Sequence, residues 1–150
     1  ATSIIYPTIG HWAWSSSYLA NIDRSYSFLI FKEDDKELIG GINVFNVRRG
    51  VSQSSSIGYW VGKRHSRKGY MYEALKILLP SLFIDLRLHR IEAAVLKHNK
   101  PSRKLLEKVG FTEEGICRSY LKIDGKWQDH VMYSLIKKEY EENSGRTRVI

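Results

Sequence analysis

A strand, a basic loop and a long helix follow one another between Gly58 and Leu86, and this unit constrains the fold more than any other stretch. Residues 58–62 are typical of a strand end, and residues 63–70 form a basic turn that closes on a glycine. Apolar residues then recur three and four positions apart over 71–86, which predicts a helix. Pro80 lies inside that helix and should kink or loosen it, because proline removes one helical hydrogen bond.

The basic loop of this unit predicts a pocket for an anion. The free N–H groups of the loop and of the first helical turn would point at one place, where the positive end of the helix dipole adds to them. Such a pocket suits a phosphate or a pyrophosphate, and Arg64, Arg67 and Lys68 add charge around it. The alternative is an ordinary strand-to-helix connection whose basic side chains are solvated.

Length and charge limit the class of protein. A chain of 150 residues with 43% apolar and 27% charged residues is expected to form one globular domain over 1–150. The net charge of 24 − 16 = +8 favours an acidic partner, whether nucleic acid, a phosphorylated cofactor or an anionic surface. No apolar run approaches the ~20 residues that span a bilayer, so no membrane partner is expected.

The single cysteine and the five histidines argue against a disulfide or a metal site. Cys117 has no second cysteine to pair with, and this usage fits a reducing compartment such as the cytoplasm. It lies in a predicted strand with no paired histidine in view, so we do not expect it to be a nucleophile. The histidines lack metal-ligand spacing, and we expect no metal.

Hydrophobic alternation and turn signals predict the other elements of the chain. Gly40-Gly41 indicates a bulge or a close backbone approach, and the polar tail over 139–150 is expected to fray. The strand after the long helix should pair in parallel with the strand before it, because a helix crosses between them. The predicted order is a helix at 15–24, strands at 26–32, 37–47 and 51–62, the long helix, a strand at 90–96, a short helix opened by Pro101 and closed by Gly110, and strands at 112–123 and 127–137.

Seven short motifs in this order resemble the GNAT acetyltransferases and, within them, the RimJ group of ribosomal-protein N-terminal-alanine acetyltransferases. The resemblance extends from about Leu29 to Tyr140. It implies an α/β (α+β) fold in which a mixed, mostly antiparallel sheet contains a splayed parallel strand pair and carries flanking helices. The motifs are Gly58-Tyr59-Trp60-Val61-Gly62, Gly69-Tyr70-Met71-Tyr72-Glu73-Ala74-Leu75, His89-Arg90-Ile91-Glu92-Ala93, Asn99-Lys100-Pro101-Ser102, Leu106-Glu107-Lys108-Val109-Gly110-Phe111, Glu114-Gly115 and Asp124-Gly125-Lys126-Trp127-Gln128-Asp129-His130.

The resemblance implies acetyl-CoA as the cofactor. Its pantetheine arm would lie between the splayed strands, and its pyrophosphate would sit on the basic loop. The family loop carries a glycine where this chain has Arg67, a departure that places a side chain at that position. Asn99 resembles the family asparagine that bonds pantetheine, although an Asx turn opening the short helix is the alternative. The implied cofactor-binding residues are Tyr59, Trp60, Val61, Arg64, Arg67, Lys68, Gly69, Tyr70, Met71, Asn99 and Ser102.

Acetyl transfer to an amine needs a neutral amine, stabilisation of an oxyanion and a proton for the leaving thiolate. Many family members use a tyrosine for that proton at the position of Leu106 here. Ser102 resembles the serine given this role in related enzymes, although it can equally be a mere helix N-terminal residue. Tyr120 is a second candidate acid.

No acidic residue of the chain falls on a family base position. Glu92 is expected to pair with a neighbour. Asp129 and His130 look like an acid–base pair, but adjacent strand residues face opposite sides.

The missing base favours a protein N-terminus as the acceptor. An α-amine with a pKa of about 7.7–8.0 is on the order of a tenth neutral at pH 7, whereas a lysine near 10.4 is only about 0.04% neutral. The expected partner is therefore a peptide or protein N-terminus, a ribosomal protein by resemblance. Small-molecule amines and antibiotics are the alternative acceptors, and a non-catalytic CoA-binding or nucleic-acid-binding module is the alternative of another class. No specific nucleic acid is expected, because no RNP-type or GXXG signature is present.

The N-terminal region departs from the family, whose members begin with a further strand and helix. We expect residues 1–14, with Trp12 and Trp14, or a second copy of the chain in a homodimer, to cover the edge of the 26–47 hairpin. CoA binding should survive this departure, while acceptor selectivity should be loose.

Overall fold

The computed structural model describes residues 3–7 and 24–145. Within these ranges the chain forms one seven-stranded sheet and three α-helices. Trp12, Trp14 and the helix predicted at 15–24, apart from Arg24, lie outside the described residues. The strands are β1 (Ser3–Pro7), β2 (Tyr26–Lys32), β3 (Leu38–Arg48), β4 (Ser54–Val61), β5 (Arg90–Leu96), β6 (Thr112–Ile123) and β7 (Lys126–Ile136), and the helices are α1 (Tyr70–Pro80), α2 (Lys100–Val109) and α3 (Lys137–Gly145).

The sheet has the order β1-β2-β3-β4-β5-β7-β6, and its strands are antiparallel except for the parallel pair β4–β5. This confirms the mixed sheet and the parallel pairing of β4 with β5 that the sequence predicts. Helix α1 connects the parallel pair, as the crossover rule requires. β4 begins three residues later than predicted, because the chain is still turning at Gly50 (φ 63°) and Gln53 (φ 47°).

The first described segment covers the edge of the β2–β3 hairpin. β1 runs antiparallel to β2, with Ser3 opposite Lys32 and Pro7 opposite Phe28. The backbone groups of β2 on that side therefore have a strand beside them, as expected for part of residues 1–14.

At Gly40 and Gly41 the structure has both a bulge and a close backbone approach, the two alternatives that the sequence indicates. The register of β3 against β2 shifts beside Gly40, which is a bulge, and the β3 backbone passes close to β4. A Cβ on Gly40 would overlap the Trp60 carbonyl oxygen, and a Cβ on Gly41 would lie 2.7 Å from the Trp60 indole nitrogen. Glycine is needed here for space, because neither residue has an unusual φ.

Pro80 ends the regular part of the long helix. The α-helical hydrogen bonds stop there, and residues 81–85 continue as a π-helical turn, in which the Leu86 N–H donates to the Ser81 carbonyl over 3.0 Å. The predicted loosening at the proline is confirmed, and it takes the form of a wider turn.

A single apolar core lies between the sheet and the helices. The expectation of a frayed tail is wrong over 139–145, because α3 packs there: the Tyr140 ring stacks on Phe83 with centroids 4.9 Å apart. The polar sequence of α3 gives no signal for this contact of Tyr140 with Phe83. Fully buried side chains of the core include Ile30, Ile42, Leu75, Leu82, Phe83, Ile91, Leu106 and Tyr133.

Replacing Gly40 by alanine should lower the free energy of unfolding by about 2 kcal/mol, because the new methyl group must push β3 away from the β4 backbone. Gly58→Ala is the matched control, since its Cβ would meet only the Phe45 ring at an ordinary 3.5 Å. Urea unfolding of both variants measures the difference. Equal stabilities would contradict the close approach.

Candidate active site

The parallel strands β4 and β5 separate shortly after they begin to pair. Their described ladder extends from Ser54, opposite Arg90, to Ser56, opposite Glu92. β4 continues to Val61 along β3, and β5 continues to Leu96 along β7. The predicted splay is thus confirmed, and residues 57–61 present the side of β4 that faces β5 without a strand against it.

A cavity of about 570 Å³ opens at this separation. It is bounded by β4, the basic loop, the start of α1 and the face of α2. Ten of the eleven predicted cofactor-binding residues line it together: Tyr59, Trp60, Val61, Arg67, Lys68, Gly69, Tyr70, Met71, Asn99 and Ser102.

Arg64 is the predicted residue that the structure places elsewhere. Its guanidinium forms an ion pair with Glu37 at 3.0 Å, and it does not line the cavity. The same carboxylate lies 3.2 Å from the His65 ring. The basic loop is therefore tied to the end of the β2–β3 hairpin through Glu37, a partner that local sequence could not reveal.

The N-terminus of α1 offers backbone N–H groups to the cavity. Gly69 precedes the helix at φ 81°, and no side chain caps this end. The first bond from the Glu73 N–H to the Gly69 carbonyl leaves the earlier N–H groups of the turn without helical partners. Together with the dipole of an eleven-residue helix, they are the features from which an anion pocket is predicted.

Arg67 adopts φ 62°, the left-handed conformation that glycine favours. This is the position at which the resembling family carries a glycine. The chain therefore has a side chain at a position whose backbone conformation favours glycine, at a cost of about 1 kcal/mol or more. A retained strain of this kind suggests that the guanidinium at the cavity edge has a use.

Helix α2 brings further residues to the cavity that sequence reasoning missed: Pro101, Leu105 and Lys108. The Lys108 ammonium lies 4.3 Å from the centre of the Tyr72 ring, which also lines the cavity. The spacing of the three α2 residues is the signal that could have found them, because residues three and four apart share one helix face.

Tyr59 and Ser102 meet inside the cavity. Their hydroxyl oxygens are 2.5 Å apart, and either one can donate. Burial raises the pKa of the Tyr59 phenol, so it stays protonated at neutral pH. Sequence reasoning placed Tyr59 with the cofactor and did not foresee this bond, which joins a strand to a helix 43 residues away.

Asn99 caps α2. Its side-chain oxygen accepts the Ser102 N–H at 3.3 Å, and Pro101 lies in the first turn as predicted. The capping alternative for Asn99 is therefore present in the structure. Asn99 also lines the cavity, so its capping role does not remove it from the candidate site.

A second cavity of about 320 Å³ lies on the opposite face of the sheet. Ser56 is three residues before Tyr59 on the same strand, so their side chains point to opposite faces. Tyr120 lines this second cavity, and not the one that contains Ser102, so the two candidate acids are on different sides. The second cavity is lined by Arg24, Asn46, Val47, Arg48, Ser56, Glu92 and Tyr120.

Glu92 is paired, as the sequence predicts. Its carboxylate accepts from the Arg90 guanidinium at 2.9 Å and from Arg48 at 3.4 Å. Arg90 also binds Glu114 through two nitrogens, and this bond, with one from Ser134, lowers the Glu114 pKa to about 2. Each oxygen of the Glu92 carboxylate thus already accepts from an arginine.

Asp129 and His130 do not form an acid–base pair, as the strand alternation predicts. The Asp129 carboxylate accepts the Ser119 N–H at 2.8 Å, while His130 is 2% exposed and its Nδ1 lies 3.0 Å from the Gln128 carbonyl. Cys117 faces His130 in the β6–β7 register, a neighbour that the sequence did not show.

Among the described residues, no group of histidine, cysteine or acidic side chains is arranged to hold a metal ion. No helix in these ranges is long and apolar enough to cross a membrane.

Comparisons with known proteins agree with this geometry. The family described as Acetyltransferase (GNAT) domain matches residues 5–112. The chain is 42% identical over 120 residues to Probable N-acetyltransferase YjcK of Bacillus subtilis, covering 80% of this chain and 66% of that protein. It is 39% identical over 116 residues to the [Ribosomal protein uS5]-alanine N-acetyltransferase of Escherichia coli, covering 77% and 60%.

The fold also matches a solved structure with a ligand. Mycobacterium smegmatis RimJ in complex with CoA-disulfide superposes with a TM-score of 0.74 at 35% identity, over 87% of this chain and 64% of that one. The chain thus spans less than two thirds of the length of each of these relatives.

Two replacements of Arg67 separate backbone strain from charge. Arg67→Gly should be about 1 kcal/mol more stable than Arg67→Ala, because only glycine relieves the left-handed φ. Both should bind coenzyme A about tenfold more weakly than the unchanged chain, because both lose a charge-assisted contact. Thermal unfolding and calorimetry measure the two effects.

Arg64→Ala is the control for Arg67, since it removes the same charge from a side chain that is turned toward Glu37. It should leave the affinity for coenzyme A nearly unchanged. A loss at Arg64 as large as that at Arg67 would mean that the loop's charge acts only at long range.

Proposed function

Because the chain belongs to the GNAT acetyltransferase family, we propose that it transfers an acetyl group from acetyl-CoA to a primary amine, and that this amine is the α-amine of a protein N-terminus. The observation that carries the proposal is the separation of β4 from β5 after Ser56, with the anion pocket of α1 and the Tyr59–Ser102 pair on one side of it. These parts supply the binding and proton-handling groups that the reaction needs.

The donor would lie along the first cavity. The side of β4 over 57–61 has N–H and C=O groups free to pair with the amide groups of pantetheine, because no strand occupies that side. The N-terminus of α1, with Arg67 and Lys68 beside it, suits the pyrophosphate. Such a pairing orients the thioester carbonyl toward a backbone N–H near Val61, which can stabilise the oxyanion.

The reaction forms a C–N bond to the acetyl carbon and breaks its C–S bond. The amine nitrogen loses a proton to solvent water, and the leaving thiolate gains one from the protein, which solvent then restores. Ser102 is the group that we assign to the thiolate, and Tyr59 is positioned to return a proton to Ser102 across their 2.5 Å bond. The pair replaces the tyrosine that the resembling family carries where this chain has the buried Leu106.

The second cavity is the site that we assign to the acceptor. It meets the strand separation from the other face, at Ser56 and Glu92, so an amine there approaches the acetyl carbon from the side opposite to the donor. Its one carboxylate already accepts hydrogen bonds from Arg48 and Arg90, so we assign no general base to this cavity. The acceptor must therefore bring an amine that is already partly neutral, as an α-amine is at pH 7.

Charge also favours a peptide over a small polyamine. Arg24 and Arg48 line the second cavity beside a single carboxylate, so a multiply charged cation would be repelled there. The name of the Escherichia coli relative suggests the N-terminal alanine of a ribosomal protein as the acceptor. We therefore propose a protein N-terminus as the partner, and not a nucleic acid or a membrane. We also propose that the protein acts in the cytoplasm.

A peptide assay tests the proposed reaction. A synthetic peptide that begins with alanine and contains internal lysines should be acetylated on its N-terminus when mixed with acetyl-CoA and the protein, because only the α-amine is appreciably neutral. Mass spectrometry after fragmentation locates the acetyl group, and spermidine at equal concentration is the competing acceptor. Acetylation mainly on lysine or spermidine would contradict the proposal. Coenzyme A binding without transfer would favour a non-catalytic module.

Removing the Ser102 hydroxyl should lower kcat about 100-fold with little change in KM, since a proton donor acts mainly in the transition state. Tyr59→Phe should lower kcat less, and the double variant should be no slower than Ser102→Ala, because the two groups act as one unit. Steady-state kinetics at saturating acetyl-CoA measure these effects.

Ser52→Ala is the matched control, because it also removes a serine hydroxyl bonded to another hydroxyl, at 2.6 Å from Ser54, away from the first cavity. Its kcat should be unchanged. If Ser102→Ala also kept its kcat, Ser102 would be a helix N-terminal residue only.

A further inference from the structure

The hairpin of β6 and β7 contains an irregularity beside the second cavity. Cys117 pairs with His130, and the next pair along the ladder joins Leu121 to Gln128. Three residues of β6, 118–120, therefore lie opposite a single residue of β7, Asp129. At this point β6 has two residues more than β7. Side chains alternate between the two faces of a strand, so an insertion of two residues does not change the face of the residues that follow. Cys117 and Leu121 therefore stay on the same face as their partners, and the irregularity affects only the segment between them.

A side chain of the opposite strand holds this bulge. The Asp129 carboxylate accepts the backbone N–H of Ser119 at 2.8 Å. Ser119 itself adopts φ 44°, a conformation that a residue with a Cβ rarely takes without a partner to fix it. In an otherwise regular ladder these backbone groups would have strand partners, so the carboxylate replaces a hydrogen bond that the bulge removes.

The residue that follows the strained position is Tyr120, which lines the second cavity with Glu92 and Ser56. Its ring lies 5.7 Å from the buried His130 ring, at an angle of 57°. It remains 41% exposed, so a ligand in the cavity can reach it. The bulge thus fixes the backbone beside Tyr120, and the His130 ring contacts one side of the Tyr120 ring.

We propose that Asp129 is a positioning residue for the acceptor, because it fixes the β6 bulge that holds Tyr120 over the second cavity beside Glu92. This rests on the proposed function. Tyr120 contributes a ring and a hydroxyl to the acceptor's binding site, and Asp129 acts on the acceptor only through Tyr120. Bulges next to sites commonly aim a side chain in this way.

The test compares KM for the acceptor with KM for the donor. Asp129→Ala should raise KM for an alanine-starting peptide about tenfold, the effect of one lost hydrogen bond on the positioning of the cavity wall. KM for acetyl-CoA should not change, because neither Asp129 nor Tyr120 lines the donor's cavity. Asp129→Asn keeps an oxygen acceptor for the Ser119 N–H and should restore most of the affinity.

Asp124→Asn is the control, since it removes the same charge from the turn of the same hairpin and asparagine tolerates its φ of 51°. It should leave both KM values unchanged. In a Tyr120→Ala background, Asp129→Ala should have no further effect on the peptide KM. Equal changes in both KM values, or a persistent effect in that background, would overturn the proposal.

A measurement without turnover separates this proposal from the proposed function. In the unchanged protein, proton NMR should show a nuclear Overhauser contact between the Tyr120 and His130 rings, and Asp129→Ala should weaken it while Asp129→Asn keeps it. If the protein did not acetylate peptides but the contact behaved this way, the proposed reaction would fail and the positioning would stand. A contact unchanged in a folded Asp129→Ala variant would overturn the positioning.

Discussion

The organisation of this protein depends on one interruption of hydrogen bonding in the middle of its sheet. β4 and β5 pair through Ser56 and Glu92 and then separate, although both strands continue. Backbone N–H and C=O groups cannot be left buried without partners at low cost. A sheet that opens in this way leaves those groups to water or to a ligand, and our proposal is that an extended ligand with amide groups of its own pairs with this strand edge.

The rest of the site follows from this opening. The strand that loses its partner leads directly into the basic loop and α1, so the same segment that offers strand hydrogen bonds also offers a helix N-terminus. Gly40 allows β3 to lie close to β4, which supports the strand from its other side. Each face of the sheet then has a cavity that meets the opening, with the hydroxyl pair on one face and Glu92 with Tyr120 on the other.

Much of the fold could be predicted from sequence, because it depends on local patterns. The strand boundaries of β2 and β5, the Pro101 and Gly110 ends of α2 and the Asp124-Gly125 turn follow from alternation, caps and turn chemistry. The α3 helix could not be predicted, since its polar sequence gains stability from a ring contact with Phe83 that only the folded chain provides.

The candidate site also has some features that local sequence predicts and others that it does not. The loop residues that line the first cavity were predicted from their local pattern, and those of β4 from the resemblance to the family. The direction of Arg64, however, depends on Glu37, and the bond from Tyr59 to Ser102 joins distant segments. The β6 bulge could not be seen either, because its cause is a carboxylate on the facing strand. Long-range partners therefore decided these three details, whereas the α2 residues of the cavity share a local helical spacing.

Amide hydrogen exchange, resolved by residue with NMR, would report whether a ligand pairs with the open side of β4. Saturating coenzyme A should slow the exchange of those amides over 57–61 that face the separation, and of the amides at the start of α1, while the paired amides of residues 54–56 keep their rates. Such a pattern would show a ligand pairing with the open side of β4. Unchanged rates over 57–61, with slower exchange elsewhere on the bound protein, would contradict the account.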